Sequence, residues 1–443
     1  MTPLRHSPWW CDPVLALCAI SLPVVLASYS IPGDVYMAEW GTPKFFDGRY
    51  LGYCIACIAA FSIACLGVRS IASRAEPLVR ESDWREDVPW DVVLRAFDFT
   101  AVLCLFGYAA WTLSAIGRGA TLGEALAIFD GSKGAAARMK EVYLVTIPGV
   151  TTLTQFGMAT IVLGCIAAAR FPARRVFPAM GGVMFLAFLR AIFNSERLAM
   201  IELAIPGVII ACQIFGERLR HRWWFSPRTL AAGPIVGFLG VFSLFATFEY
   251  FRSWSNYYSG GGKDFLSFVA ARFTGYYATA LNNGAYMTER MSPIDMPFLS
   301  VPLIWNFPVL KQIAESFAPN FPLLREDSVN DVLAGGANPE FNNCGGLLLP
   351  LIDLGLPGAL LYWSIAGLIA GASYYGYRRM RLAGLLTFPI LFIGIVEAPR
   401  IIYVSDGRVF PTWCAMGAVW MVCAWLAWRN QTVAHHAPKW GLT

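Results

Sequence analysis

Apolar positions along this chain run in long blocks separated by short polar segments. Each block is long enough for a helix of about 20 residues, the length that crosses the ~30 Å hydrocarbon core of a bilayer. The pattern predicts an all-α, polytopic membrane helix bundle with about ten transmembrane helices, in a single integral membrane domain over residues 1–443. The predicted spans are 11–31, 48–68, 96–116, 150–169, 176–190, 198–215, 229–249, 355–377, 382–397 and 411–428.

Composition agrees with this prediction. Hydrophobic residues make up 57% of the 443 positions and charged residues only 14%, whereas about a quarter of the residues of a soluble domain are charged. A soluble enzyme or a nucleic-acid-binding protein is therefore excluded as a class. The formal net charge of +5 gains meaning only when the charges are assigned to the two sides of the membrane.

Short connecting segments dense in Arg and Lys fall on one side of the predicted bundle. They are 169–175, 217–228 and 377–381. The positive-inside rule makes this side cytoplasmic, and ten spans then place both termini in the cytoplasm. The longest outward segment, 250–354, lies between spans seven and eight. Apolar residues at helical spacing within 263–284 predict that this segment is partly helical.

Two of the predicted spans are short and end in charged residues on the outward side. Span 176–190 covers about 22 Å at 1.5 Å per residue, so Arg190 falls below the outer headgroups. Span 382–397 ends in Glu397 and is followed by Arg400. Charges at this depth are costly unless they are paired or hydrated. They indicate a polar site open to the outer leaflet. The alternative is internal pairing, of Glu397 with Arg400 and of Glu196 with Arg197, or snorkelling to the headgroups.

Further outward cations and aromatic residues accompany these two spans. Arg272 lies at the edge of the apolar stripe in 263–284, so it is either a ligand-binding cation or an interface anchor. Tyr276 and Tyr277 suit stacking on sugar rings as well as a membrane aromatic belt. Several arginines at the lipid boundary fit a polyprenyl diphosphate, because Arg binds phosphate through two parallel hydrogen bonds and keeps its charge.

Four segments together resemble the O-antigen polymerase (Wzy-type) family of oligosaccharide repeat-unit polymerases. The first is "FNNCGGLLLPLIDLGLPGALLYW" at 341–363, an Asn-containing stretch leading through an acid into a span. The others are "IPGVTTLTQFGMA" at 147–159, "RAIFNSERLAMIELAIPGVII" at 190–210 and "RFTGYYATALNNGAY" at 272–286. The resemblance covers roughly 120–430 in loose form, and the motifs are short.

The resemblance implies a fold of the GT-C-like group of membrane glycosyltransferases. It implies polymerisation of polyprenyl-diphosphate-linked repeat units into a surface polysaccharide, on the outer face of a bacterial cytoplasmic membrane. The expected partners are the lipid-linked oligosaccharide, membrane lipids and a chain-length-regulating co-polymerase. Alternatives are a transporter or flippase of lipid-linked sugars, another GT-C enzyme, or an O-antigen ligase. The ligase typically uses an outward histidine, but all four histidines are predicted to be cytoplasmic.

Candidate site residues follow from the outward charges and amides. The predicted acids for orienting an acceptor hydroxyl are Glu340, Glu397 and Asp353, with Asp353 ranked behind the others because it also suits a helix cap. The predicted diphosphate ligands are Arg190, Arg197, Arg252, Arg272, Arg400 and Arg408. The predicted sugar-binding residues are Asn342, Asn343, Tyr276 and Tyr277, although Asn342 and Asn343 also suit a turn. No outward pair of acids suggests a metal, so neither metal nor cofactor is expected.

Overall fold

The computed structural model of the chain describes most of its length. The described residues are 8–74, 88–130, 132–194, 196, 198–219, 226–259, 262, 264–294, 296–306, 311–313, 316, 321–338 and 340–436. All structural statements below concern these residues.

Eleven helices form the main framework. They are α1 (Pro13–Ser30), α2 (Gly48–Arg74), α3 (Trp90–Gly117), α4 (Val150–Ala167), α5 (Ala173–Phe193), α6 (Leu198–Leu219), α7 (Gly233–Glu249), α8 (Phe265–Arg290), α9 (Leu349–Arg378), α10 (Leu382–Glu397) and α11 (Phe410–His436). A 3₁₀ turn at Thr154–Phe156 interrupts α4. Shorter helical segments connect them: Trp9–Cys11, Gly33–Trp40, Leu122–Phe129, Ala135–Arg138, Met139–Tyr143, Pro227–Ala231, Tyr250–Tyr258, Pro302–Asn306, Phe321–Gly336 and Gly407–Val409.

The predicted all-α polytopic bundle is confirmed. Nine of the described helices are long and apolar enough to cross a membrane, and α10 is a shorter apolar helix of 16 residues. The described residues contain no β-strand. Each predicted span corresponds to one of the ten helices other than α8, with ends that shift by a few residues. The largest shift is at the end of α11, which is predicted at 428 and lies at His436. Helix α9 begins at Leu349 and is kinked at Gly355, where φ is +64°, a backbone conformation that glycine adopts readily.

Polar contacts at one face of the bundle join the ends of helices that are distant in sequence. At this face, called the Asp12 face, Arg69 pairs with Asp12 at 2.7 Å and so joins the end of α2 to the start of α1. Arg175 of α5 pairs with Asp98 of α3 at 2.5 Å. The Nε2 of Gln213, near the end of α6, donates to the carbonyl of Tyr377 at the end of α9.

The opposite end of the bundle, called the Arg190 face, gathers the other helix ends. Arg118, which follows α3, donates to the carbonyl of Tyr143 ahead of α4. Thr412 of α11 donates to the carbonyl of Gln155 near the start of α4. Consecutive helices therefore alternate in direction, α8 remains at the Arg190 face, and the ten other helices run between the two faces. The start of α1 and the end of α11 accordingly lie on the same face, the Asp12 face.

Helices α2 and α9 form the closest helix pair of the bundle, because glycines of α9 face backbone carbonyls of α2. A Cβ added to Gly367 would lie 2.2 Å from the carbonyl oxygen of Phe61, and one added to Gly371 would lie 2.8 Å from that of Cys65. Backbones at this distance pack without intervening side chains, as small residues allow in membrane helices. This pair fixes the position of α9, which leads from the Arg190 face into the last two passes.

The segment 250–354, predicted to be outward and partly helical, contains α8 and three shorter helices. Asp264 caps α8 by accepting a hydrogen bond from the backbone N–H of Ser267. The part of α8 from Ala278 to Met287 is buried throughout. The helix therefore lies against the bundle at the Arg190 face, where its side chains can contribute to a site.

The α2–α9 contact predicts the effect of a single added methyl group. Gly367→Ala should lower the free energy of unfolding by about 1–3 kcal/mol, because the new Cβ meets backbone that cannot rotate away. Thermal unfolding of the detergent-purified protein measures this loss. Gly52→Ala in α2 is the matched control, since a Cβ there meets nothing within 4 Å. Equal melting temperatures for the two variants would contradict the proposed packing.

Candidate active site

A cavity of about 220 Å³ opens at the Arg190 face, between α6, α7, α8 and the segment that joins α10 to α11. Its polar lining consists of Glu196, Tyr276, Tyr277, Glu397, Arg400 and Arg408. Its apolar lining consists of Leu198, Ile201, Val241, Phe245 and Phe273. This cavity is called the site cavity below. It brings together residues from four distant parts of the chain.

The end of the short helix α10 supplies a buried ion pair of the cavity wall. The chain makes one further helical turn after Glu397, because the N–H groups of Arg400 and Ile401 both donate to the Glu397 carbonyl. This turn brings the Arg400 Nε within 2.7 Å of the Glu397 Oε2. Burial disfavours the charged form of Arg400, yet Glu397 holds its pKa above the ordinary value. Arg400 is therefore charged within the cavity wall.

A second set of charges lies beside this pair. Glu196 accepts hydrogen bonds from the Nε and Nη2 of Arg190 at 2.8 and 2.5 Å. Arg408 reaches Glu196 at 3.5 Å and Glu202 at 3.6 Å. Burial raises the pKa of Glu196, but Arg190 and Arg408 outweigh that effect and the net shift is downward. Glu196 is therefore ionised at neutral pH.

Arg190 is held from three sides. Its Nη1 donates to the Thr154 hydroxyl at 2.8 Å, and its guanidinium lies 5.2 Å from the ring centroid of Trp111. Counting both sets, three arginines and three glutamates meet around the site cavity, namely Arg190, Arg400, Arg408, Glu196, Glu202 and Glu397. Arg190, Arg400 and Arg408, which were predicted to bind a diphosphate, are thus each paired with an acid.

Aromatic side chains form the wall contributed by α7 and α8. Phe245 meets Tyr276 edge to face at 5.5 Å between ring centroids, and it meets Phe273 at 5.2 Å. Tyr277 lies behind this layer; burial first, and then the charge of Glu397, raises the pKa of its hydroxyl. The neutral phenols and rings present flat apolar surface beside charged groups, an arrangement that suits sugar rings.

Arg272, another predicted diphosphate ligand, lies apart from the site cavity in a cluster of its own. Its Nε is 3.2 Å from the buried Glu249 of α7, and its Nη1 pairs with Glu340. Its guanidinium also lies 5.1 Å from the Phe341 ring centroid. Burial lowers the pKa of Arg272, but Glu249 and Glu340 outweigh burial and raise it. One aromatic layer, Tyr276 against Phe341 at 5.2 Å, separates this cluster from the site cavity.

Asp353, the third predicted acid, lies away from the site cavity and is fully buried. Its Oδ2 accepts hydrogen bonds at 2.8 Å from both the backbone N–H and the hydroxyl of Ser300. The Ser300 carbonyl in turn accepts from Ser405 at 2.7 Å and from the Tyr362 hydroxyl at 3.2 Å. Asp353 therefore ties the 296–306 segment to the loop that carries Arg400 and Arg408. Because α9 begins at Leu349 and is kinked at Gly355, Asp353 lies in the short first part of the helix, ahead of the kink.

The predicted sugar-binding amides lie at the edge of α8. Asn342 is exposed and Asn343 half-buried. Their segment is held by Asn283 of α8, whose Nδ2 donates to the carbonyls of Phe341 and Asn343 at 2.7 and 2.9 Å. Arg197 lies outside the described residues. Arg252 belongs to the helix Tyr250–Tyr258, and its side chain lies outside the described part.

Three buried polar positions at this face were missed in the sequence. Glu202 and Glu249 are acids inside or at the end of apolar spans, a signal that alone marks a candidate polar site. Asn282 is the third. Its Oδ1 accepts from the N–H groups of Phe45 and Phe46, and its Nδ2 donates to the carbonyl of Pro43. A buried amide in an amphipathic helix carries no distinctive sequence pattern, so its role becomes evident only in the fold.

Comparison with known proteins gives no match: no protein family, no curated protein and no solved structure is significantly similar to this chain. The resemblance to the O-antigen polymerase family therefore remains a prediction, and function has to be argued from the cavity itself.

Because the Arg272–Glu249 ion pair is buried, we expect its loss to destabilise the protein more than the loss of an exposed pair. Arg272→Gln leaves Glu249 buried without this cation, so the free energy of unfolding should fall by about 3 kcal/mol or more. The double variant Arg272→Gln, Glu249→Gln should recover much of the loss. Chemical or thermal unfolding in detergent measures both.

Arg49→Gln is the control for this experiment. Arg49 also pairs with a glutamate, Glu289, at 2.9 Å, but the two side chains are 52% and 35% exposed, against 10% and 0% for Arg272 and Glu249. An exposed pair contributes about 0–1 kcal/mol. A loss at Arg272 no larger than at Arg49 would show that Glu249 is not held by this ion pair.

Proposed function

We propose that this protein is a glycosyltransferase that extends a polyprenyl-diphosphate-linked glycan, with the site cavity as its active site. The observation that carries the proposal is the composition of this cavity. It places Arg–Glu pairs beside aromatic surface at one end of a membrane-crossing bundle. A lipid diphosphate sugar needs these three elements: cations for the diphosphate, flat apolar surface for the sugars, and access from lipid.

Access from lipid is supported by the position of α7. Helices α6 and α7 make few close contacts within the described residues, and the site cavity lies between Leu198 and Ile201 of α6 and Val241 and Phe245 of α7. Helix α7 is also the least buried of the candidate spans. A polyprenyl tail lying along α7 would thus reach the cavity from the side, with its diphosphate at the level of Arg400 and Arg408.

In the proposed reaction the acceptor hydroxyl oxygen forms a bond to the anomeric carbon of the donor. The bond from that carbon to the diphosphate oxygen breaks, and its electron pair leaves with the diphosphate. Arg400 and Arg408 stabilise the charge that develops there, as fixed cations do in a site of low dielectric constant. The proton of the acceptor hydroxyl passes to a carboxylate, and Glu397 is the acid placed closest to Arg400.

Because Glu397 is paired with Arg400, binding of the donor would change the hydrogen bonding of this acid. A diphosphate that binds Arg400 competes with Glu397 for the same guanidinium. Once displaced, the Glu397 carboxylate is free to accept a hydrogen bond from the acceptor hydroxyl. Glu397 would then take part in the reaction only when a donor is bound. Tyr276 and Tyr277 would orient the sugars beside it.

The proposal also includes the topology, the membrane and the product predicted from the sequence. The Arg190 face is outward, both termini are cytoplasmic, and the membrane is the bacterial cytoplasmic membrane. The product is a surface polysaccharide assembled from lipid-linked repeat units, with a separate protein that regulates chain length. Glu340, Asn342 and Asn343 would line the path of the growing chain at the outer edge of α8.

The test uses the purified full chain in detergent with a polyprenyl-diphosphate-linked oligosaccharide and no nucleotide sugar. We expect a ladder of longer lipid-linked chains on electrophoresis. Glu397→Gln should reduce the rate by about 100-fold or more, since general-base groups contribute about 10²–10⁴. Arg400→Lys should retain part of the activity, because it keeps the charge and loses the paired hydrogen bonds.

Glu289→Gln is the matched control. Glu289 is also an acid at the Arg190 face with an arginine partner, but it is exposed and remote from the site cavity. Its variant should work at the parental rate. A strict requirement for nucleotide sugar would overturn the proposal, and so would movement of the lipid-linked sugar across proteoliposomes without any change in its length. The second result would identify a transporter.

A further inference from the structure

A second cavity, of about 310 Å³, opens at the Asp12 face between the ends of α2 and α9. It plays no part in the proposed reaction, since it lies at the other end of the bundle. Its polar lining comprises Arg69, Ser70 and Ser73 from α2 and Arg378 from α9, together with Arg379, the residue that follows α9. This cavity is called the Arg378 cavity below.

Arginine side chains dominate the polar lining of the Arg378 cavity. Arg69 pairs with Asp12. The Nε of Arg378 is buried and has no hydrogen-bond acceptor among the described residues. Burial, and then the neighbouring Arg381, lower the pKa of Arg379. An anion in this cavity would supply the acceptor that the Arg378 Nε lacks.

Two tyrosines hold these arginines in place. The Tyr374 ring lies between Arg69 and Arg378, with guanidinium carbons 5.1 and 5.9 Å from its centroid. Arg379 lies over the ring of Tyr375 at 5.7 Å, and the Tyr375 hydroxyl donates to the carbonyl of Ala72 at 3.1 Å. The guanidinium groups are thus oriented before a ligand arrives, which reduces the entropy lost on binding.

The Arg378 cavity also continues into apolar surface. Leu66, one turn before Arg69, lines it and is 47% exposed. On the same helix faces, Ile63 of α2 and Leu361 and Leu368 of α9 are exposed as well. Cationic, hydroxyl and apolar groups therefore follow one another over a short distance. A ligand that matches all three carries a phosphate at one end and hydrocarbon chains at the other.

We propose that the Arg378 cavity binds the phosphate of an anionic phospholipid, whose acyl chains lie along the exposed apolar surface of α2 and α9. Basic residues that serve only to orient the protein in the membrane do not need to line an anion-binding cavity. Arg175, at the same face, pairs with Asp98 and lines neither cavity. The bound lipid would brace the α2–α9 pair at the end opposite to the site cavity.

The experiment titrates phosphatidylglycerol into the full chain in dodecyl maltoside and counts bound lipids by native mass spectrometry. Phosphatidylcholine is titrated in parallel. Phosphatidylglycerol should bind about tenfold more tightly, because the choline ammonium of the other lipid is repelled by the arginines. Arg378→Gln should remove most of this preference. Ser70→Glu, at an exposed position that tolerates substitution, should remove it as well by adding a carboxylate to the cavity.

Arg175→Gln is the matched control and should leave phosphatidylglycerol binding unchanged. Equal affinity for the two lipids would overturn the proposal, as would parental phosphatidylglycerol binding by Ser70→Glu. A further arm adds inorganic phosphate. If millimolar phosphate displaces the lipid completely, a soluble phosphate compound is the ligand and the lipid assignment is wrong. Continued binding of phosphatidylglycerol under that condition supports the lipid.

Discussion

A buried charge in a membrane-crossing bundle must be held against an opposite charge, because the surrounding medium stabilises it so little. This constraint organises the Arg190 face. Glu397 and Arg400 pair across one backbone turn, Glu196 lies between Arg190 and Arg408, and Arg272 is held by Glu249. Each pair joins different helices or the two ends of a tight loop, so the charges that give the face its chemistry also determine its shape.

The shortness of α10 makes this arrangement possible. A helix of 16 residues is about 24 Å long, so Glu397 lies deeper than the ends of the longer helices. The chain that follows has to fill the space above it, and it does so as the compact loop that carries Arg400 and Arg408. The network from Asp353 through Ser300 to Ser405 anchors that loop from the other side. A polar site thus forms inside the outline of the bundle.

Prediction from the sequence agrees with the structure for features that are set by neighbouring residues along the chain. Hydropathy blocks predict the long apolar helices because the length of a bilayer-crossing helix is set by the membrane. The short span ending at Glu397 is a helix of 16 residues, but the span predicted to end at Arg190 belongs to a helix of 21 residues that runs on to Phe193. The alternative of internal pairing anticipated the Glu397–Arg400 contact. The pairing of Arg190 with Glu196, and of Arg272 with Glu249 and Glu340, depends on how helices meet. Spacing along the chain does not show how the helices meet. For the same reason, the sequence could not show that Asp353 bonds Ser300.

The paired asparagines of α8 have a consequence for biosynthesis. Asn282 binds the backbone of Phe45, 237 positions earlier, while Asn283 binds the carbonyls of Phe341 and Asn343, about 60 positions later. A ribosome therefore completes α1 and α2 long before the amide that will join their connecting loop exists. After α8 has been synthesised, Asn283 still lacks its acceptors until the 341–343 segment follows. The Arg190 face is consequently one of the last regions to mature during translation, and chains truncated before position 341 would insert their early helices but leave this face open.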